Sequence, residues 1–290
     1  MKYNDLDKME KEEEKKIKSN DKFAELKNDY FLQKLFNNLK RKKTLTILKF
    51  NKSLKKRMNI NINDYKEYSE NYSSIEIEIK PVNNEIGKFI NLEFDKEYYH
   101  IYFNNNEEET KRNRIKEGEH ITIIKIIIDY QVKSLEKLFF MCDCVESIEF
   151  KKFYRNNITN MKDMFFECES LKELNLDNFN TSNVSDMSWM FKGCSSLEEL
   201  NLNNFNTNKI TDMSYMFFEC KSLKKINFNN FNFNNAINMH AMFYWCKSLR
   251  ELNINNFDIN NTIDMNDMFP HCPKELIMNL KSQYQNKIEK

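Results

Sequence analysis

Residues 186–211 read DMSWMFKGCSSLEELNLNNFNTNKIT, and the blocks before and after repeat that pattern at a period of 26. Cys142, Cys168, Cys194, Cys220, Cys246 and Cys272 mark the period, each 26 residues from the next. Met161, Met187, Met213, Met239 and Met265 keep it, with Leu135 in the first unit. So do Met164, Met190, Met216, Met242 and Met268, each followed by Phe. Leu171, Leu197, Leu223 and Leu249 form another column, and Leu174, Leu200, Ile226 and Leu252 another. Leu176, Leu202, Phe228 and Ile254, then Phe179, Phe205, Phe231 and Phe257, complete the unit. A fixed period of this length is the mark of a repeat array, in which stacked units share a core that no single unit can close.

Within a unit, Met187, Met190, Phe191 and Cys194 fall at i, i+3, i+4 and i+7, which predicts one face of a short helix. Asp186 precedes them, in a column of Asn160, Asp212, Asn238 and Asp264 that suits an N-cap. Leu197, Leu200 and Leu202 end in alternation, which predicts a short strand. The expected fold class is therefore an α/β repeat solenoid of leucine-rich-repeat type, its parallel sheet on the concave face. A basic helical segment and a β-rich cap are expected before it.

The unit M-F-x-x-C-x-S-L-x-x-L-x-L-x-x-F-x-T-x-x-V-x-x-M resembles the repeats of BspA-like leucine-rich-repeat surface proteins of mycoplasmas and Gram-positive bacteria, with related arrays in some protists. The resemblance spans residues 131–280. It implies a binding or adhesion scaffold without catalysis. The end units degenerate, with Leu138 in a Met column and Glu275 where Leu follows the earlier cysteines.

Outside the array the chain changes character. Residues 1–58 hold 18 Lys+Arg and 9 Asp+Glu, and Tyr30 to Asn63 contains ten basic residues and no acid. Residues 1–20 read as a charged tail, a fraying helix or disordered. Residues 21–58 read as a basic helical segment, with Leu32, Leu35, Phe36 and Leu39 on one face. Residues 59–130 read as the β-rich cap: Ile75-Glu-Ile77-Glu-Ile79 alternates, and Gly87–Phe94, Tyr98–Phe103 and His120–Tyr130 also look like strands. A polar tail is expected at 281–290. With only three glycines in 290 residues, Gly-rich phosphate loops are excluded. The start lacks a secretory apolar stretch, and the apolar run Ile121–Tyr130 is too short to span a bilayer. These features predict an intracellular, cytoplasmic protein without a membrane span.

The cysteine column reads as buried thiols, since each Cys takes an apolar position and paired C-x2-C spacing is absent. The four histidines, His100, His120, His240 and His271, are dispersed, and the chain has no HExxH, GxSxG, Walker or GxGxxG pattern. We therefore expect neither catalysis nor a cofactor nor a metal. Candidate contact residues lie between the core positions of each strand. They are Lys172, Glu173, Asn175 and Asp177; Glu198, Glu199, Asn201 and Asn203; Lys224, Lys225, Asn227 and Asn229; and Arg250, Glu251, Asn253 and Asn255. A partner protein is the expected ligand. Asn178, Asn204, Asn230 and Asn256 read instead as a structural row satisfying backbone groups after each strand. Two alternatives rest on the N-terminal region. Phe31 to Leu54 resembles an F-box helical motif without its leading Leu-Pro, which implies a ubiquitin-ligase adaptor. The basic stretch Lys34–Arg57 could instead contact nucleic-acid phosphates.

Overall fold

The computed structural model of the chain describes residues 52–58, 73–92, 98–129, 132–228, 231, 235–252 and 268–288. The chain divides into two compact units, Met1–Glu70 and Asn71–Lys290. In the first, the described residues form one short helix, α1 (Lys52–Arg57), in which Leu54 is buried. The charged tail and most of the basic helical segment, including residues 34–51 and nearly all of the F-box-like stretch, lie outside the described residues.

The second unit begins with β1 (Ile75–Pro81), whose burial alternates as its sequence does. Ile75, Ile77 and Ile79 point inward, and Glu76 and Glu78 lie half-buried on the other face. β2 (Gly87–Lys88) pairs with β5 (Arg114–Ile115), while β3 (Tyr99–Phe103) and β4 (Glu109–Thr110) form an antiparallel pair. β6 (Ile124–Ile128) lies antiparallel between β3 and β1, with Ile126 opposite both Ile77 and Ile101. Each isoleucine sealed in this way contributes about 1.5–3 kcal/mol. β7 (Val145–Lys152) joins the two halves of the unit: antiparallel to β1, it is parallel to β8 (Glu173–Asn175). The resulting six-stranded sheet runs β4-β3-β6-β1-β7-β8. β9 (Glu199–Asn201), β10 (Lys225–Asn227) and β11 (Glu251–Leu252) make a separate parallel sheet in which equivalent residues of successive repeats are partners. The chain continues to α2 (Lys274–Ile288), so the expected polar tail is helical through Ile288.

The expected α/β leucine-rich-repeat solenoid is not what forms. The regular structure among the described residues is mostly strand, the largest sheet is mixed and dominated by antiparallel pairs, and residues 132–252 contain no helix where described. The Met-Phe-Cys segments are turns. Their N–H groups divide between two kinds of acceptor. Met187, Trp189, Phe191 and Gly193 donate to Asp212, Ser214, Met216 and Phe218 of the next unit, whereas Met190, Lys192 and Cys194 donate three residues back. No i→i−4 ladder remains to make a helix. Two positions per unit also stand in the left-handed region: Lys137, Asp163, Trp189, Tyr215 and Ala241 in one column, and Met141, Glu167, Gly193, Glu219, Trp245 and His271 in the other. A left-handed residue ends a right-handed helical turn. The column expected to cap helices caps these turns instead. Asn160, Asp186, Asp212 and Asn238 each accept, on Oδ1, the N–H two residues on, at 2.8–3.2 Å. They also bridge one another in a parallel row beginning at Ser134.

Candidate functional site

On the strand side, alternation turns Leu200, Ile226 and Leu252 inward and exposes their neighbours. Lys172, Glu173, Asn175, Asp177, Glu198, Glu199, Asn201, Lys224, Arg250 and Glu251 are exposed; Asn203, Lys225 and Asn227 are half-buried. Asn229, Asn253 and Asn255 lie outside the described residues. Charges on this side pair between successive repeats: Lys172 with Glu146 at 2.7 Å, Lys224 with Glu198 at 2.6 Å and Lys225 with Glu251 at 2.9 Å. The hydrogen bond to Glu146 raises the Lys172 ammonium pKa, as Glu251 does for Lys225. Two of the asparagines serve the backbone, since Asn175 and Asn201 accept the N–H of Asp177 and Asn203 at 2.9 and 3.2 Å. In the row read as structural, Asn178 donates to the Phe150 carbonyl at 3.1 Å and Asn204 to that of Asp177 at 2.8 Å; Asn230 and Asn256 lie outside the described residues.

All seven cysteines are buried free thiols. Burial pushes Cys144, Cys168 and Cys272 up to about 12, and Cys142, Cys194, Cys220 and Cys246 well above the ordinary thiol range. Such thiols stay protonated and unreactive. Among the described residues no cluster of three or more His, Cys, Asp or Glu could hold a metal ion. His100 instead bridges two carboxylates, Glu109 at 3.1 Å and Asp129 at 3.2 Å, which ties β3 to β4 and to the end of β6.

The turn side carries a feature that sequence reading missed. Phe140, Phe166, Lys192, Phe218 and Tyr244 form a column at the same 26-residue step, and all five are half-buried. Phe140 stacks on Phe166 (centroids 4.7 Å apart), and Phe218 stacks on Tyr244 (4.8 Å). Lys192 fills the gap between the two pairs, its Nζ 4.3 Å from the Phe166 centroid and 5.9 Å from that of Phe218. Glu167 holds that ammonium at 2.7 Å. Trp189 and Tyr215, stacked at 3.9 Å, flank the column, and Trp245 with His271 closes one end. The period would have revealed this column. A helical reading, however, turns attention to the buried face and leaves these positions as unremarkable surface.

Residues 133–251, and again 159–283, match the sequence family described as "Mycoplasma protein of unknown function, DUF285". The two matches span 133–283, more than half of the 290 residues. The chain belongs to the DUF285 family. The matches start 26 residues apart (159 − 133), so the DUF285 pattern registers on the same unit one repeat later. No curated protein and no solved structure matches the chain. No helix among the described residues is long and apolar enough to cross a membrane.

Proposed function

We propose that this DUF285 chain is a non-catalytic interaction module that binds a partner protein through its repeat array, from an intracellular, cytoplasmic location. The observation that carries the reading is the exposed strand side. Its charged rows are held in fixed register by the parallel pairing of successive strands and pair across them, and a surface ordered before binding loses less conformational freedom on association. The likeness of the unit to BspA-like surface-protein repeats, themselves binding scaffolds, supports the binding role, not the location. The test is a pull-down with the chain carrying Lys172→Glu, Glu199→Lys and Lys224→Glu together. These side chains are exposed, so the fold should survive their reversal. Loss of the captured partner with unchanged melting supports the strand side as the contact. Retention of the partner removes it.

A further inference from the structure

We infer that the array carries a second docking surface, the aromatic and lysine stack on its turn side, and that this surface takes an extended acidic segment of a partner protein with aromatic or aliphatic side chains between its carboxylates. The inference goes beyond the strand-side reading and does not depend on it.

Composition singles the surface out. Trp, Tyr, Phe and Met are the residues enriched at protein interfaces, and Lys and Glu the depleted ones. The turn side holds both tryptophans of the chain, Trp189 and Trp245, half-buried rather than sealed in the core. Met141 beside Phe140 is 48% exposed, at the end of a run of half-buried rings, and apolar side chains gathered at a surface in this way mark a contact site.

Geometry and charge then choose the occupant. In the column the ring faces between neighbours are already covered, because Phe140 lies against Phe166, Phe218 against Tyr244, and Lys192 between the pairs. What remains for a ligand is ring edges. Base stacking needs open faces, so single-stranded nucleic acid is disfavoured. Aromatic edges carry the positive rim of the ring quadrupole and attract carboxylate and carbonyl oxygens. The ammonium groups reinforce that preference. Lys88 and Lys137 lie over Phe140 and Lys247 over Trp245, and none of the three has an ion-pair partner among the described residues. Of the acids nearby, Glu167 and Glu219 are neutralised by Lys192 and Lys221, Asp163 is buried with its carboxyl pKa raised by desolvation, and Asp143 and Glu136 remain beside Lys88 and Lys137.

The experiment uses the full chain, with intrinsic tryptophan fluorescence as readout, since both tryptophans lie on this surface. The probes are a short synthetic peptide alternating Glu with Phe, its counterpart alternating Lys with Phe, and oligouridine. The acidic peptide is expected to shift the emission saturably and to bind less as salt rises. Lys137→Glu with Lys247→Glu should weaken it by about tenfold or more, and Tyr215→Ser should weaken it too, with melting of the charge variant unchanged. The strand-side triple variant should bind the acidic peptide normally, which separates failure here from failure of the strand-side reading. Equal binding of the Lys peptide, binding of oligouridine instead, or acidic-peptide binding indifferent to the lysine reversals would each overturn the inference.

Discussion

The thiol of Cys194 donates to the carbonyl oxygen of Phe165, 3.2 Å away and 29 residues back. The same oxygen accepts the N–H of Cys168 from its own unit. Cys168, Cys220, Cys246 and Cys272 repeat the thiol bond to Phe139, Phe191, Phe217 and Phe243 at 3.0–3.1 Å. Beside this seam the rings Phe139, Phe165, Phe191, Phe217, Phe243 and Phe269 stack with centroids 5.1–5.5 Å apart. The cysteine column therefore joins one unit to the next through both packing and a hydrogen bond.

Alkaline pH should weaken this seam. Burial raises the folded thiol pKa above the unfolded value, to about 12 for Cys168 and Cys272. The folded state thus holds protons that the unfolded chain releases above its ordinary thiol pKa of about 8.5. Stability from these groups is complete below the unfolded pKa and falls as pH rises toward the folded one. Melting temperature should be flat from about pH 6 to 8 and decline beyond about pH 9, and substitution of Cys194 and Cys220 by Ala should flatten that decline. An unchanged slope in the double variant would show that other groups set the alkaline limit.

Strand orientation is tested by adjacent residues. Leu200 is 3% exposed and Glu199 beside it is exposed. Leu200→Ala should cost about 2–5 kcal/mol, and Glu199→Ala less than about 0.5 kcal/mol. Equal shifts in chemical denaturation would mean that β9 does not present these two side chains to opposite faces.

Arg155 is fully buried, and burial brings its guanidinium down to about 10. Its Nε donates to the Ser73 carbonyl at 2.8 Å and Nη2 to that of Ile128 at 3.3 Å, which ties the approach to β1 to the end of β6. Arg155→Ala should cost about 2–4 kcal/mol through the cavity and the two carbonyls left without this donor. Arg155→Lys should recover only part of that, because a single ammonium cannot reproduce the fork. Urea denaturation of the three proteins decides it, and full rescue by Lys would refute the fork.

The array was legible because its signals are one-dimensional. The 26-residue columns gave the units, the Leu200 and Ile226 positions gave the strands, and Ile75 to Ile79 gave β1. The turns were not legible, because the spacing of Met187, Met190, Phe191 and Cys194 suits a helix as well as a turn bonded to its neighbour. The usual warning of a left-handed residue is glycine, yet Gly193 is the one glycine among the eleven left-handed turn positions. Most of the described strand-side residues are exposed, with Asn203, Lys225 and Asn227 half-buried, but nothing in their spacing revealed that Asn175 and Asn201 cap their own turns.

That ambiguity has a direct test at Glu219, which stands at φ 60°. In a helix, Glu219→Gly would lose about 1 kcal/mol of propensity. In the left-handed turn the same change relieves about 1–2 kcal/mol of backbone strain, against which the extra entropy of unfolded glycine returns about 0.5–1 kcal/mol. The ion pair lost with Lys221 is on the surface and contributes little. Glu219→Gly should therefore leave stability unchanged or raise it by up to about 1.5 kcal/mol. Glu219→Val should lower it by more than about 1 kcal/mol, because a β-branched side chain resists positive φ. Calorimetric melting of the pair gives the answer, and a glycine variant less stable than the valine variant would restore the helical reading of the segment.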